Sequence, residues 1–234
     1  MTPSAAILLT RPAPQSGEFA ERLRDLPAEI LISPILTIQP VTPTPHVPPG
    51  RALILTSRNA VTAAAGLVSG RAGYVVGAAT ARAAAAAGLT IRATAATAKA
   101  LGDLMIAEGV GERLAHLRGE HTAGDLAGRL NSAGIETESI IFYRQPDAEP
   151  SARALAVLGS GVDVVMPLFS ARSAALLGNR LNDADIAARL HLVSISAAVD
   201  CAWTGPAPSS RSTAASPDAD AVADKIRALV AELS

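Results

Sequence analysis

RALILTSRNAVTAAAGLVSGRAGYVVGAATARAAAAAG, residues 51–88, carries one structural unit twice. Residues 52–55 are a short apolar run, Ser57 follows as a turn residue, and an alanine-rich stretch with helical character comes next. Residues 74–76 then repeat the apolar run, Gly77 repeats the turn, and a second alanine-rich stretch follows. Runs this short, continuously apolar and followed at once by helix formers, are the signature of buried parallel strands with crossover helices. Gly66 and Gly88 stand where each helix should stop in a left-handed cap. The stretch therefore predicts an α/β protein with parallel sheets covered by helices.

The same alternation extends in both directions. Residues 5–9 predict a first strand, residues 10–15 a polar turn, and Phe19, Leu23 and Leu26 one face of a helix. Further strands are predicted at 90–93, 114–117, 162–166 and 192–195, with Gly109 ending another helix. Val222, Ile226, Leu229, Val230 and Leu233 share one face of a last helix. Two segments break the rhythm. Residues 36–41 and 139–144 are β-prone, lie beside Pro34, Pro40 and Pro146, and have no helix directly after them. About 100 residues separate them, enough for a domain. The expectation is an outer domain of residues 1–37 and 146–234, an inserted domain of 41–139, and linker strands at 36–41 and 140–146. Prolines in PVTPTPHVPPG block a helix or a central strand at the entry to the inner domain.

Composition removes several classes of function. Of 234 residues, 49% are hydrophobic but only 3% aromatic, so the core is built from Ala, Val, Leu and Ile, and alanine accounts for the positive mean hydropathy. No uninterrupted apolar run reaches the ~18 residues of a membrane span. MTPSAAILLTRP lacks the basic start and long apolar stretch of a signal peptide, which leads to an expected cytoplasmic location. With 20 basic and 21 acidic residues interspersed, the chain lacks the electrostatic footprint of a nucleic-acid binder. An anionic small molecule stays open, because helix N-termini and a few arginines hold carboxylates without a basic overall charge. Cys201 is the single cysteine and makes no internal disulfide, and the four histidines show no ligand spacing, so neither metal nor cofactor is expected.

The turns carry the candidate chemistry. LILTSRNAV (53–61) is echoed by MPLFSARSA (166–174), which matches Ser57 with Ser170 and Asn59 with Arg172. YVVGAATARA (74–83) is echoed by LVSISAAVDCA (192–202), which matches Gly77 with Ser196. Turns at the carboxyl ends of strands are where open α/β sheets bind ligands. Each serine also serves as a plain helix cap. Arg11 follows the first strand, where its guanidinium fork suits a carboxylate, although a surface arginine in that loop needs no ligand. Gly77–Ala78–Ala79–Thr80 lets backbone approach a ligand but lacks GxGxxG or GxxxxGK[ST] spacing, and LRGEHTAGDL, with Gly119 and Gly124, lacks it too. Tyr143 lies on the second linker segment; its phenol suits a proton donor, and equally a packed linker tyrosine. No nucleophile elbow accompanies a Ser–His–Asp pattern. What remains is chemistry done by shape and hydrogen bonds.

TRPAPQSGEFAERL, LILTSRNAV, YVVGAATARAAAAAG, LRGEHTAGDLAGRL, IIFYRQP, FSARSAALL and ISAAVDCA follow one another in an order that resembles the uroporphyrinogen-III synthases over nearly the full length. The resemblance implies two α/β domains joined by a two-strand β linker, with the active site in the interdomain cleft. It implies conversion of hydroxymethylbilane, a linear tetrapyrrole, to uroporphyrinogen III without cofactor or metal, and transient contact with the preceding pathway enzyme. It places Arg11, Ser57, Thr80, Ser170 and Ser196 on cleft-lining positions beside Asn59, Gly77 and Arg172, and it makes Tyr143 the acid that assists loss of the terminal hydroxyl. The sequence departs from the family pattern at three places: Ala198–Val199 replace a turn hydroxyl, Ala171 replaces a common proline, and Pro167 interrupts a strand, where an edge or a bulge is expected. A non-catalytic two-domain protein that binds a tetrapyrrole or another small molecule is the alternative.

Overall fold

A computed structural model describes residues 5–122 and 124–233. In chain order it begins β1 (Ala5–Leu9), α1 (Ala13–Glu21), β2 (Glu29–Ile32), β3 (Gln39–Pro40), β4 (Ala52–Leu55), α2 (Arg58–Ala63) and α3 (Ala65–Val68). Next come β5 (Ala72–Val76), α4 (Ala78–Ala86), β6 (Thr90–Ala95), α5 (Ala98–Ala107), β7 (Leu114–Gly119), α6 (Leu126–Ser132) and β8 (Thr137–Arg144). The last third holds α7 (Ala152–Leu158), β9 (Asp163–Leu168), α8 (Ala171–Asn182), β10 (Arg189–Ser194), α9 (Ala197–Cys201), β11 (Ser210–Thr213) and α10 (Ala219–Leu233). Two compact units result: one runs to Thr37 and resumes at Asp147, and the other is Ile38–Pro146.

The discontinuous unit holds a sheet of order β11-β10-β9-β1-β2, parallel throughout. Numbered within the unit this is 2-1-3-4-5, one of the common doubly wound orders. Its inner strands β1 and β9 are buried along their whole length because helices cover both faces. Ile7, Leu9, Val165 and Val193 pack with Phe19 and with the Val222, Ile226 and Val230 stripe of α10. Leu8, Val164, Met166 and Leu192 pack on the other face with Ala154, Leu158, Ala174, Leu177 and Trp203. Chain direction around the sheet reverses between β1 and β9, so the loops after those two strands flank a topological switch point.

The continuous unit holds a sheet of order β3-β8-β7-β4-β5-β6, parallel except where β3 pairs antiparallel with β8. Here the switch point lies between β4 and β7. With β3 set aside, β8-β7-β4-β5-β6 corresponds in position to β2-β1-β9-β10-β11, and only the connections are circularly permuted. The sequence echo thus joins elements of equal place, since β4 corresponds to β9 and β5 to β10. Of the two segments predicted as linkers, Gln39–Pro40 pairs with Arg144 and Tyr143 within this unit, and Leu36 bridges Asp147 within the other.

Two local expectations are corrected. Gly66 lies inside α3 and ends nothing, whereas Gly88 and Gly109 do follow helices with φ of +88° and +61°. Pro167 is at neither an edge nor a bulge; it sits in the central strand β9. The Ile195 N–H donates to the Leu168 carbonyl, so even-numbered residues of β9 face β10 and Pro167 faces β1. Pairing of β9 with β1 ends at Val165–Ile7, so the absent N–H falls just past the end of that ladder. His191 links the strands around it. It bonds to Asp163 through Nε2 at 2.8 Å and to Ser210 through Nδ1 at 2.7 Å, tying the amino ends of three strands together.

Candidate functional site

The turns that leave the carboxyl ends of the strands are built by helix capping. Ser57 is extended (φ −153°), and its Oγ accepts the Asn59 N–H at 3.2 Å as α2 begins. Ser170 caps α8 by accepting the Ser173 N–H at 3.1 Å, and Ser196 caps α9 by accepting the Val199 N–H at 3.4 Å. Gly77 differs. It stands at φ +82°, ψ 142°, a conformation that L side chains rarely adopt, and gives α4 no side-chain cap. A Cβ built on it would meet nothing within 4 Å, so the turn borders open space. Thr80 lies buried in the first turn of α4.

In the discontinuous unit the switch point brings two elements together. The Arg11 guanidinium lies 4.3 Å above the ring centroid of Phe169, and Phe169 meets Phe19 edge-on at 5.0 Å. Arg11 is thereby held beside Ser170 by a cation–π contact. Phe169 was not among the sequence candidates; its signal was an aromatic directly before a turn serine in a chain with three phenylalanines. Arg172 is engaged with Asp147 at 3.6 Å, so the structure ties it to that carboxylate. Ser196 lies one strand further out, after β10.

In the continuous unit the β4–β7 switch point is bridged by Thr56 and His116, with Oγ1 and Nε2 3.3 Å apart. His116 is 3% exposed, and burial, seconded by Arg118, pushes its pKa down to about 4. A neutral imidazole therefore backs the residue that precedes Ser57. Tyr143 belongs to β8 and is 5% exposed, packed in the core with Phe142, Leu117 and Leu55. Its carbonyl accepts the Glu120 N–H at 3.0 Å, which fixes it beside the end of β7. Asn59 sits in the first turn of α2, and Gly77 one strand away after β5.

Asp163, His191 and Ser210 have the composition of a nucleophilic triad, but Ser210 opens a strand rather than an elbow. Arg189 grips both oxygens of Asp163 and holds its carboxyl below the usual range. The group lies at the amino ends of the sheet, opposite the turns at the carboxyl ends. Among the described residues no three His, Cys, Asp or Glu side chains gather as a metal-binding group, and no helix is long and apolar enough to cross a membrane.

The family model described as "Uroporphyrinogen-III synthase HemD" matches residues 17–222, well over half of the chain. Among solved structures the chain is similar to a uroporphyrinogen-III synthetase of Helicobacter pylori, with a TM-score of 0.64, 15% identity, and 96% of this chain and 99% of that one covered. It is also similar to a mutant uroporphyrinogen III synthase of Thermus thermophilus, with a TM-score of 0.51, 17% identity, and 96% and 98% coverage. At these identities the structural likeness speaks for the fold of two α/β domains. No curated protein matches by sequence.

Proposed function

The chain belongs to the uroporphyrinogen-III synthase family, and on that premise we propose that the carboxyl-end turns of both sheets enclose hydroxymethylbilane while it closes with inversion of ring D. The family match over residues 17–222 is the observation that carries this assignment. The family acts as a cyclising hydro-lyase: hydroxide and a proton leave as water, and one carbon–carbon bond closes the macrocycle.

Tyr143 is the proposed acid. Its phenol gives a proton to the departing hydroxyl, leaving an azafulvene that is electrophilic at its exocyclic carbon. Ring D attacks through its already substituted carbon, the spiro intermediate fragments, reclosure at the free α-carbon leaves ring D inverted, and the proton lost from that carbon restores the phenol. Because the bilane loses hydroxide and cyclises to the unrearranged isomer without help, the protein's larger task is to hold the chain so that the spiro route is the shorter one.

Holding falls largely to neutral donors. A chain of net charge −1 meets a substrate rich in acetate and propionate groups, so oriented N–H groups share the load with Arg11. The uncapped start of α4 at Gly77 is the best placed of these, because Ser57, Ser170 and Ser196 already occupy one amide each of their own helices. Thr80, Asn59 and Arg172 complete the proposed lining. The work is done where the pathway's soluble intermediates are, in the cytoplasm, with the preceding enzyme as a transient partner.

The test is to incubate the protein with freshly generated hydroxymethylbilane and separate the isomers after oxidation. The type III isomer should dominate. Type I alone, formed at the uncatalysed rate, would leave a binding protein in place of an enzyme.

A further inference from the structure

We infer that Gly119 is a positioning residue for the reaction: the side chain it lacks makes the slot in which the Tyr143 phenol lies. This rests on Tyr143 being the acid. Gly119 ends β7 and pairs with Tyr143 on β8 just after a register shift between Arg118 and Gly119. A Cβ at this position would stand 2.7 Å from Cε2 and Cζ of Tyr143 and 2.9 Å from its Oη. All three of its nearest atoms belong to that one side chain, and they are those at its hydroxyl end. Carbon–carbon contacts that short do not persist, so a methyl here would force the ring to move.

The glycine is not needed for its backbone. Gly50, Gly70, Gly77, Gly88, Gly109 and Gly134 take positive φ, and Gly119 does not. Its requirement is steric and local. The ring also has little freedom to yield. Tyr143 is 5% exposed among packed neighbours, and its strand is held on one side by Pro40 of β3 and on the other by β7. Rotation about the ring's own long axis leaves Oη where it is, so relief must come from a tilt that carries the hydroxyl with it. A displacement of about 1 Å at a catalytic group costs on the order of 10²-fold in rate. The LRGEHTAGDL segment therefore needs Gly119 for the phenol rather than for a phosphate.

The experiment is a double-mutant cycle of Gly119→Ala and Tyr143→Phe, read as kcat, KM and the III-to-I ratio with hydroxymethylbilane. Gly119→Ala alone should lower kcat by about 10–100-fold with KM changed little. In the Tyr143→Phe background the same change should cost about twofold or less, because no hydroxyl remains to be misplaced. Equal losses in both backgrounds would overturn the inference and make Gly119 a backbone or substrate contact. An unchanged rate in Gly119→Ala, beside a slow Tyr143→Phe, would overturn it while leaving Tyr143 as the acid. A Tyr143→Phe enzyme at full rate would remove the acid itself. Should Gly119→Ala fail to fold, Gly119→Ala with Tyr143→Leu empties the slot. Recovery of folding in that pair places the clash on the ring, and failure places it elsewhere and overturns the inference.

Discussion

Acid should weaken this protein through His116 earlier than its carboxylates do. In the unfolded chain the imidazole titrates near its ordinary 6.5, and in the folded continuous unit burial holds it at about 4. The unfolded state therefore binds more protons across that window, and stability falls as pH falls. The contribution is intact above about pH 7 and fully lost below about 4. The full difference amounts to about 3 kcal/mol, of which about 2 kcal/mol is lost by pH 5. A change of that size is a large part of a domain's typical stability of about 5–15 kcal/mol. His116 also bonds to Thr56 beside Ser57, so protonation should disturb the start of α2 before the unit unfolds. The assay is urea unfolding at pH 7.5 and pH 5 of the wild type and of His116→Gln, which keeps a hydrogen-bonding group but cannot ionise. The wild type should lose about 2 kcal/mol more than the variant between the two conditions. Equal losses, or a ring whose NMR shifts titrate near 6.5 in the folded state, would refute the reasoning.

Asp163→Asn should destabilise the discontinuous unit by about 1–3 kcal/mol, because His191 and Arg189 lose a charged acceptor. Asp163's depressed carboxyl contributes stability above its unfolded pKa and loses it as pH falls, so the variant should also unfold less steeply in acid; thermal melts at pH 7 and pH 3.5 check both. Ser57→Ala, Ser170→Ala and Ser196→Ala should each cost about 1 kcal/mol of stability as lost caps, and each should lower type III formation only a few-fold. Complete loss of substrate binding in folded Ser57→Ala would contradict the shared holding of carboxylates.

The α/β class was legible because central strands here are buried on both faces and so read as unbroken apolar runs. β4 is ALIL, with every residue buried. β2 and β11 escaped detection, and both are edge strands of their sheet. SRST at β11 alternates half-buried with exposed residues and looks like loop when read alone. Pro167 misled because a local rule about proline cannot see where a neighbouring ladder stops. The turn serines and Gly77 were legible as turn residues, each lying within two positions of the end of an apolar run. Two groups carried no local signal, since their members meet only through strand pairing. His116 joins Thr56 across 60 residues, and Asp163, His191 and Ser210 span 28 and 19. Gly119 was visible as a turn glycine, but the phenol it accommodates lies 24 positions on, at Tyr143.

If positioning selects the isomer and Tyr143 supplies the proton, the two effects separate in a single variant. Tyr143→Phe keeps the buried ring and removes the hydroxyl, so the fold should be unchanged by circular dichroism. Assisted departure of a leaving group contributes about 10²–10⁴-fold, and type III formation should slow by that order. The bilane can lose hydroxide unaided, so the product formed on the protein should still be predominantly type III. The decisive measurement is the rate of type III formation beside the III-to-I ratio for this variant, with uncatalysed cyclisation subtracted. A slow rate with the ratio preserved is the result this account predicts; a full rate, or a slow rate with the ratio collapsed toward type I, would contradict it.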